Sequence, residues 1–398
     1  MLPLNCHQCR RMMGPMELLS PASVEELAEH LRQAKQSKRR ILLEGASSKR
    51  RMGGPVAPSD IHLTTLRLDR VVRYEPRDLT LSVQAGMRMQ DLAALIAQDG
   101  LMVPLDPPYF DRATVGGTVA ANASGPRRRG YGTARDMVIG MKFVTVDGAV
   151  VDSGGMVVKN AAGYDLSKLM IGSFGTLAAI AVVNFRLFPI PPATETYLIA
   201  RESVEEIFAV RDAILRSVLQ PVATDLLTPG ASARVGREGF ILAVQASGPA
   251  AVLPRYRVEL ARYGPQILAG PEEQGFWIQV REFVPAFVDA FAGGCVVRVS
   301  TTLMGLKDVV ASTPVPCLAR AGSGVAYLCF FSVDQAIEWL GHAREHQWRA
   351  VVEFRPAAQE LDLELWPQPG DDLRLMQRIK QLFDPDGLLN PGRLYGRI

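Results

Sequence analysis

Histidine and cysteine are both scarce in this chain, five of each among 398 residues. The cysteines (Cys6, Cys9, Cys295, Cys317 and Cys329) are odd in number and scattered, which excludes a disulfide framework and points to a reducing compartment. Two nucleotide fingerprints are also missing. There is no G-x-x-x-x-G-K-[S/T] loop and no G-x-G-x-x-G opening a helix after a strand, which excludes a P-loop NTPase and a Rossmann dehydrogenase. A formal charge of +3 is too small to indicate a nucleic-acid binder. The uncharged run Leu169 to Asn184 is too short and too interrupted by glycine to span a bilayer. The opening M-L-P-L-N-C-H-Q-C-R-R lacks the apolar stretch of a secretory signal. A soluble or at most peripheral protein is expected.

The length calls for two or three structural units, and 48% hydrophobic with 21% charged residues is a globular composition. Ser23 with Glu26 forms an S-x-x-E capping box and predicts a helix over 23–34. Strands are expected at 41–43, 71–74 and 79–83, and a helix over 89–98 stopped by Gly100. Residues 138–146 and 150–151, joined at Asp147-Gly148, read as a hairpin. A helix at 164–171 and a buried strand at 178–188 follow, and F-P-I-P-P-A-T then breaks the pattern. Beyond it, strands at 197–200, 240–244, 295–299 and 325–330 alternate with helices at 204–218, 253–263 and 334–346, the texture of a separate α+β unit. A last helix at 371–382 precedes D-P-D-G-L-L-N-P-G-R.

One stretch stands apart. A-T-V-G-G-T-V-A-A-N-A-S-G, residues 113–125, has no charge and nothing larger than Val, Thr or Asn. With G-A-S-S-K at 45–49 and G-S-F-G-T at 172–176 it makes three glycine-rich segments beside expected strands. Glycine lets backbone approach a ligand closely, and successive free N–H groups form concave anion sites. Such turns can also serve tight packing alone, but three within one span favour a ligand gripped through main-chain amides.

The run A-T-V-G-G-T-V-A-A-N-A-S-G-P, then R-D-M-V-I-G-M-K-F-V, then K-N-A-A-G-Y-D-L-S-K-L-M-I-G-S-F-G-T-L, resembles the FAD-linked oxidases of the vanillyl-alcohol oxidase type. The form K-N-x-A-G-Y-D with G-S-F-G is most similar to the glycolate oxidase FAD-binding subunit, and F-D-P-D-G-L-L-N-P-G-R-L resembles the ending of that superfamily. The resemblance covers roughly 40–190 and 371–396, and implies an α+β protein. A tail (1–16) would precede a two-lobed FAD-binding domain of the PCMH (p-cresol methylhydroxylase) type (17–192). An α+β cap (193–358) and a segment returning to the FAD domain (359–398) would follow. It further implies that Gly45, Ala46, Ser47 and Ser48 wrap the FAD pyrophosphate. Thr114, Gly116, Gly117, Ser124 and Gly125 would line pyrophosphate and isoalloxazine, and Gly132 and Asp136 would follow along the cofactor. Gly172, Gly175, Thr176 and Ile180 would complete the wall. The first two loops hold no His and no Cys, so the FAD is expected to be non-covalent.

The chain departs from catalytic 2-hydroxy-acid dehydrogenases of that superfamily. Val158 and Ala162 stand where R-K-x-x-T-G-Y-D would place its arginine and threonine, and no His-rich H-G-D-G-N-x-H segment exists. The deficit implies an auxiliary subunit, with a related flavin subunit and an iron–sulfur subunit as partners, a small 2-hydroxy acid such as glycolate as substrate, and no nucleic acid. Its place would be cytoplasmic, at most peripheral at the inner membrane through its partners. A stand-alone oxidase of an alcohol or sugar and a non-catalytic flavin-fold scaffold are the alternatives. No metal site is expected. Glu338, His342 and His346 share a helical face whose ordinary reading is solvation, and Cys6-x-x-Cys9 has no second pair to close a zinc site. The basic runs 38–40, 49–51 and 127–129 read as solvated surface. Lys159 and Tyr164 are the candidate groups at the flavin face.

Overall fold

The computed structural model describes residues 16–156, 165–358 and 363–398. Two small sheets and one large one carry the architecture. The first is a parallel three-stranded sheet in the order Glu17–Leu19, Ile61–Thr64, Ile41–Glu44, crossed by the helix Val24–Gln36. That helix begins as expected: Ser23 Oγ accepts from the Glu26 N–H at 3.1 Å. The Glu26 carboxylate, however, reaches back to the N–H of Ala22. The second sheet is antiparallel and five-stranded, in the order Val71–Glu75, Thr80–Gln84, Ala179–Arg186, Val138–Val144, Val150–Gly154. Leu27, Leu31, Ile41 and Leu63 of the first lobe pack with Val144, Ala179 and the C-terminal Leu388 and Leu389 in one core.

The third sheet is eight-stranded and antiparallel throughout, running Gln266–Leu268, Ala193–Arg201, Phe240–Gly248, Ala223–Leu227, Cys317–Arg320, Val325–Phe330, Cys295–Ser300, Arg349–Phe354. Side chains of a strand alternate between faces. Tyr197 and Ile199 therefore join the core under Val204–Leu215, Leu253–Ala261, Leu306–Ala311 and Val333–Glu345. Leu198 and Ile241 face the other way, toward Gly270–Arg281, Phe283–Ala290, and Met52 and Tyr109 of the glycine-rich lobes. Arg51 fastens that contact, donating to the carbonyls of Arg355 (2.8 Å), Val288 (2.5 Å) and Gly294 (2.7 Å).

The C-terminal helix Asp371–Phe383 returns to the first two sheets. Lys380, 8% exposed, donates to the carbonyls of Thr176 (2.7 Å) and Leu389 (3.0 Å) and to Asp384 at 2.6 Å. Asp384 in turn accepts the amides of Leu388 and Leu389. A buried ion pair contributes little net stability against an apolar pair of the same shape, but removing one partner strands the other charge and costs about 3–5 kcal/mol. Lys380→Met is therefore expected to lower unfolding free energy by about that amount in urea titration. A loss under about 1 kcal/mol would show that the pair is not what anchors this segment.

Candidate functional site

The strand Ile41–Glu44 runs straight into the first glycine-rich turn. Ser47 adopts φ +56, reversing the backbone so that successive amides point inward. Among the described residues, the N–H groups of Gly45, Ala46, Ser47, Ser48 and Lys49 find no protein acceptor. A turn with this many unpaired donors is built for an anion, since each hydrogen bond to a charged acceptor contributes about 1.5–3 kcal/mol. Burial pushes the neighbouring Glu44 carboxyl up, but hydrogen bonds from Arg50 and Ser47 outweigh it and hold the group below its ordinary range. Its negative charge is therefore compensated locally by Arg50, 2.8 Å away. Lys49 is buried, and desolvation pushes its ammonium down to about 8 against the opposing pull of Glu282.

The other two turns work differently, which corrects the expectation of an amide grip from all three. Residues 115–120 form a short helix capped by Thr114, whose Oγ1 accepts from Gly117 at 3.2 Å. The amides of Val115 and Gly116 are taken by the carbonyls of Met87 (2.8 Å) and Ala85 (2.7 Å). The third turn is pinned onto that helix, Gly172 N–H to Val119 (3.2 Å) and Phe174 N–H to Ala120 (2.9 Å). Among the described residues all but the Thr114 and Ser124 amides of these two turns are spent inside the protein, so what they chiefly offer a ligand is close approach. A Cβ on Gly116 would stand 2.7 Å from the Ala85 methyl, and one on Gly45 only 2.2 Å from Thr114 Oγ1. The blandness of residues 113–125 thus serves packing and access together.

One open cleft of about 790 Å³ brings together Gly45, Ala46, Ser47, Ser48, Thr114, Gly116, Gly117, Gly175 and Ile180. Ala121 and Phe174 continue its wall into a second cavity of about 1140 Å³, where Ser124 and Gly172 lie. Gly125, Gly132, Asp136 and Thr176 line neither. Gly125 packs on Asp106, where a Cβ would meet the carbonyl at 2.1 Å. Gly132 (φ +87) abuts Asp136, which closes a capping box with Thr133 on the helix Ala134–Met137. Thr176 is buried and bonds Ser173. Lys159 and Tyr164, with Val158 and Ala162, lie outside the described residues, as do Cys6 and Cys9.

Sequence reasoning missed Asn390 and Arg393, which line the cleft from the C-terminal N-P-G-R. It also missed the arginines of the second cavity: Arg128, Arg281, Arg298 and Arg320. The visible signal was a charge set within the otherwise apolar C-V-V-R-V-S and C-L-A-R. Two basic runs read as solvated surface prove structural. Arg51 holds backbone carbonyls, as does Arg393 of the C-terminal loop, which burial pushes down to about 10. Arg127 clasps Asp106 with two guanidinium nitrogens, and Arg129 donates to Gly322 at 2.9 Å. Each is drawn inward because loop carbonyls or a carboxylate replace its water. His342 and His346 do come together, but with Glu345 rather than Glu338, at the end of the helix Val333–Glu345, with His342 edge-on and His346 tilted against Trp348.

Residues 15–154 match the family described as FAD binding domain, and residues 368–394 match the C-terminal domain of FAD linked oxidases. The chain is 28% identical over 380 residues to glycolate oxidase subunit GlcE of Escherichia coli K12, covering 94% of this chain and 98% of the relative. It is 26% identical to a D-2-hydroxyglutarate dehydrogenase of Xanthomonas citri pv. viticola, covering 96% and 89%. The crystal structure of p-cresol methylhydroxylase with substrate bound superposes with a TM-score of 0.74 at 15% identity, covering 94% of this chain and 88% of that one, so the two share the fold. The unpaired amides of the first turn suit a pyrophosphate, and the glycine-walled cleft beside them suits a flat extended cofactor such as FAD.

Gly45→Ala tests that fit, because the added methyl drives Thr114 from its capping position. FAD titration is expected to show at least a roughly tenfold weaker Kd, about 1.4 kcal/mol; an unchanged Kd would mean the close approach of these two turns is not used. With both matching domains, the shared fold and the cleft between them, this chain is an FAD-dependent oxidoreductase of the PCMH-type fold, similar to the glycolate oxidase FAD-binding subunit.

Proposed function

We propose that this chain is the FAD-binding subunit of a glycolate-type 2-hydroxy-acid dehydrogenase, handing electrons to an iron–sulfur partner. The single observation that carries the reading is continuity: the cleft with its free amides opens past Ala121 and Phe174 into a cavity walled by arginines. A cofactor site and a carboxylate-compatible site therefore share one wall. The near-complete coverage of the glycolate oxidase subunit by this chain supports the same substrate class.

In this reading the amides of Gly45 to Lys49 hold the pyrophosphate, and Thr114, Gly116, Gly117 and Gly175 let the cofactor lie against backbone. None of the described residues lining the cleft is His or Cys, which supports non-covalent FAD. When bound, FAD supplies a two-electron acceptor that can release electrons singly, as transfer to an iron–sulfur centre requires. The chain's own share is to orient the acid in the arginine-walled cavity and to exclude water there by apposing the eight-stranded sheet to the glycine turns. The cofactor domain (17–192, with 359–398 returning to it) and the cap (193–358) would be the two halves of that enclosure. No helix of the described residues is long and apolar enough to cross a membrane, so attachment to a membrane would run through partners.

A stand-alone dehydrogenase is the second reading, favoured by the arginine wall being complete within this one chain. Anaerobic spectroscopy separates the two. The purified chain is expected to be yellow, or to become so on adding FAD, and to stay yellow with glycolate until the partner subunits are supplied. Bleaching by glycolate alone would establish the stand-alone enzyme. Protein that remains colourless with FAD would overturn both.

A further inference from the structure

The second cavity presents six charged side chains: Arg128, Arg281, Arg298 and Arg320 against Asp106 and Glu353. Most are already paired. Arg281 lies 2.8 Å from Glu282, Arg298 lies 2.8 Å from Glu353, Arg320 pairs with the buried Asp225, and Asp106 is held by Arg127. Burial pushes Asp225 up to about 6 against the opposing pull of Arg320, and it raises Glu353 against that of Arg298. By geometry, Arg128 is among the described residues the one cavity arginine with no carboxylate within ion-pair distance. Its field is felt by both Glu353 and Tyr327 across the cavity.

A second observation points the same way. Arg320 is 5% exposed, and its Nε–H is buried without an acceptor. Leaving such a donor unmet costs about 1–3 kcal/mol, which an arriving anionic oxygen would recover. A carboxylate offers two coplanar oxygens, which suits guanidinium donors.

We propose that Arg128, assisted by the free Nε–H of Arg320, receives the substrate carboxylate, and that its lone uncompensated charge fits the cavity to a monocarboxylic rather than a dicarboxylic 2-hydroxy acid. The inference rests on the 2-hydroxy-acid reading above and assigns residues to it. A second carboxylate would enter a cavity whose remaining cations are each matched by an anion, and its desolvation would go uncompensated.

The test uses the FAD-loaded chain and two ligands that carry no hydrogen on C2 and so cannot be oxidised: 2-hydroxyisobutyrate (one carboxylate) and citramalate (two). Binding is read from perturbation of the flavin absorption band, and FAD content from its intensity. Wild type is expected to bind 2-hydroxyisobutyrate more tightly than citramalate. Arg128→Gln should weaken 2-hydroxyisobutyrate binding at least tenfold with FAD content unchanged, and Arg128→Lys should restore part of it. The uncharged 2-hydroxyisobutyramide should bind wild type and Arg128→Gln alike, an outcome that a merely structural role of Arg128 would not produce. Equal affinity of wild type and Arg128→Gln for 2-hydroxyisobutyrate, or tighter citramalate binding by wild type, would overturn the proposal while leaving the cofactor reading intact. Failure of wild type to take up FAD would overturn both.

Discussion

The side-chain amide of Asn390 joins three pieces of chain that are far apart in sequence. Its oxygen accepts the Leu43 N–H at 2.8 Å, and its nitrogen donates to the carbonyls of Leu43 (3.0 Å) and Phe174 (2.8 Å). The strand leading into the first glycine turn is thereby fixed to the third turn. Three residues on, Arg393 donates to the carbonyls of Lys49 and Gly54, both at 3.2 Å, on the far side of the same turn. Held at both ends, the turn from Gly45 to Lys49 keeps its amides unpaired instead of closing on itself. A set of donors kept free in this way is preorganised: part of the ordering a ligand would otherwise have to impose is done by folding.

That constraint explains the unequal roles of the three glycine-rich segments. The first keeps a run of five free donors, whereas the second keeps only those of Thr114 and Ser124. The second is a helix cap whose glycines meet Ala85 and Thr114, and the third is a buckle laid across that helix. Their small residues let two backbones pack closely and leave beside them a cleft that side chains would fill. Beyond them the same turn continues into the large sheet, the Gly53 amide reaching the carbonyl of Glu353 at 3.1 Å and Met52 bridging Phe354. The strand that ends the glycine turn at one side therefore carries Glu353 into the arginine cavity at the other. The proposed cofactor cleft and the arginine cavity are linked through a few residues of backbone.

Much of this was legible in the sequence where local signals are strong. The Ser23 cap, the hairpin around Gly148 and the helix stop at Gly100 all lie where their residues put them, the two glycines at positive φ. Val325–Phe330 is a wholly buried strand that its apolar run announces. The short parallel strands Glu17–Leu19 and Ile61–Thr64 were not legible, because parallel partners are brought together by distant packing and leave no turn signal between them. Ala223–Leu227, Cys317–Arg320 and Arg349–Phe354 were hidden for a different reason. Asp225, Arg320 and Glu353 interrupt their apolar patterns, and these charges are tolerated only because partners on other strands answer them. The helix Val115–Ala120 defies glycine's poor helix propensity because Thr114 caps it and strand Ala179–Arg186 packs on it. The glycine turns indicated a ligand held close to backbone and the family resemblance implied FAD; the arginine cavity exists only in three dimensions.

The five free amides of the first turn are placed to bind the pyrophosphate of FAD. A crystal structure of the FAD-loaded chain tests it most directly. Phosphate oxygens are expected within hydrogen-bonding distance of the amides between Gly45 and Lys49, with Asn390 still bridging Leu43 and Phe174. A pyrophosphate placed elsewhere, with those amides bonded only to water, would contradict it.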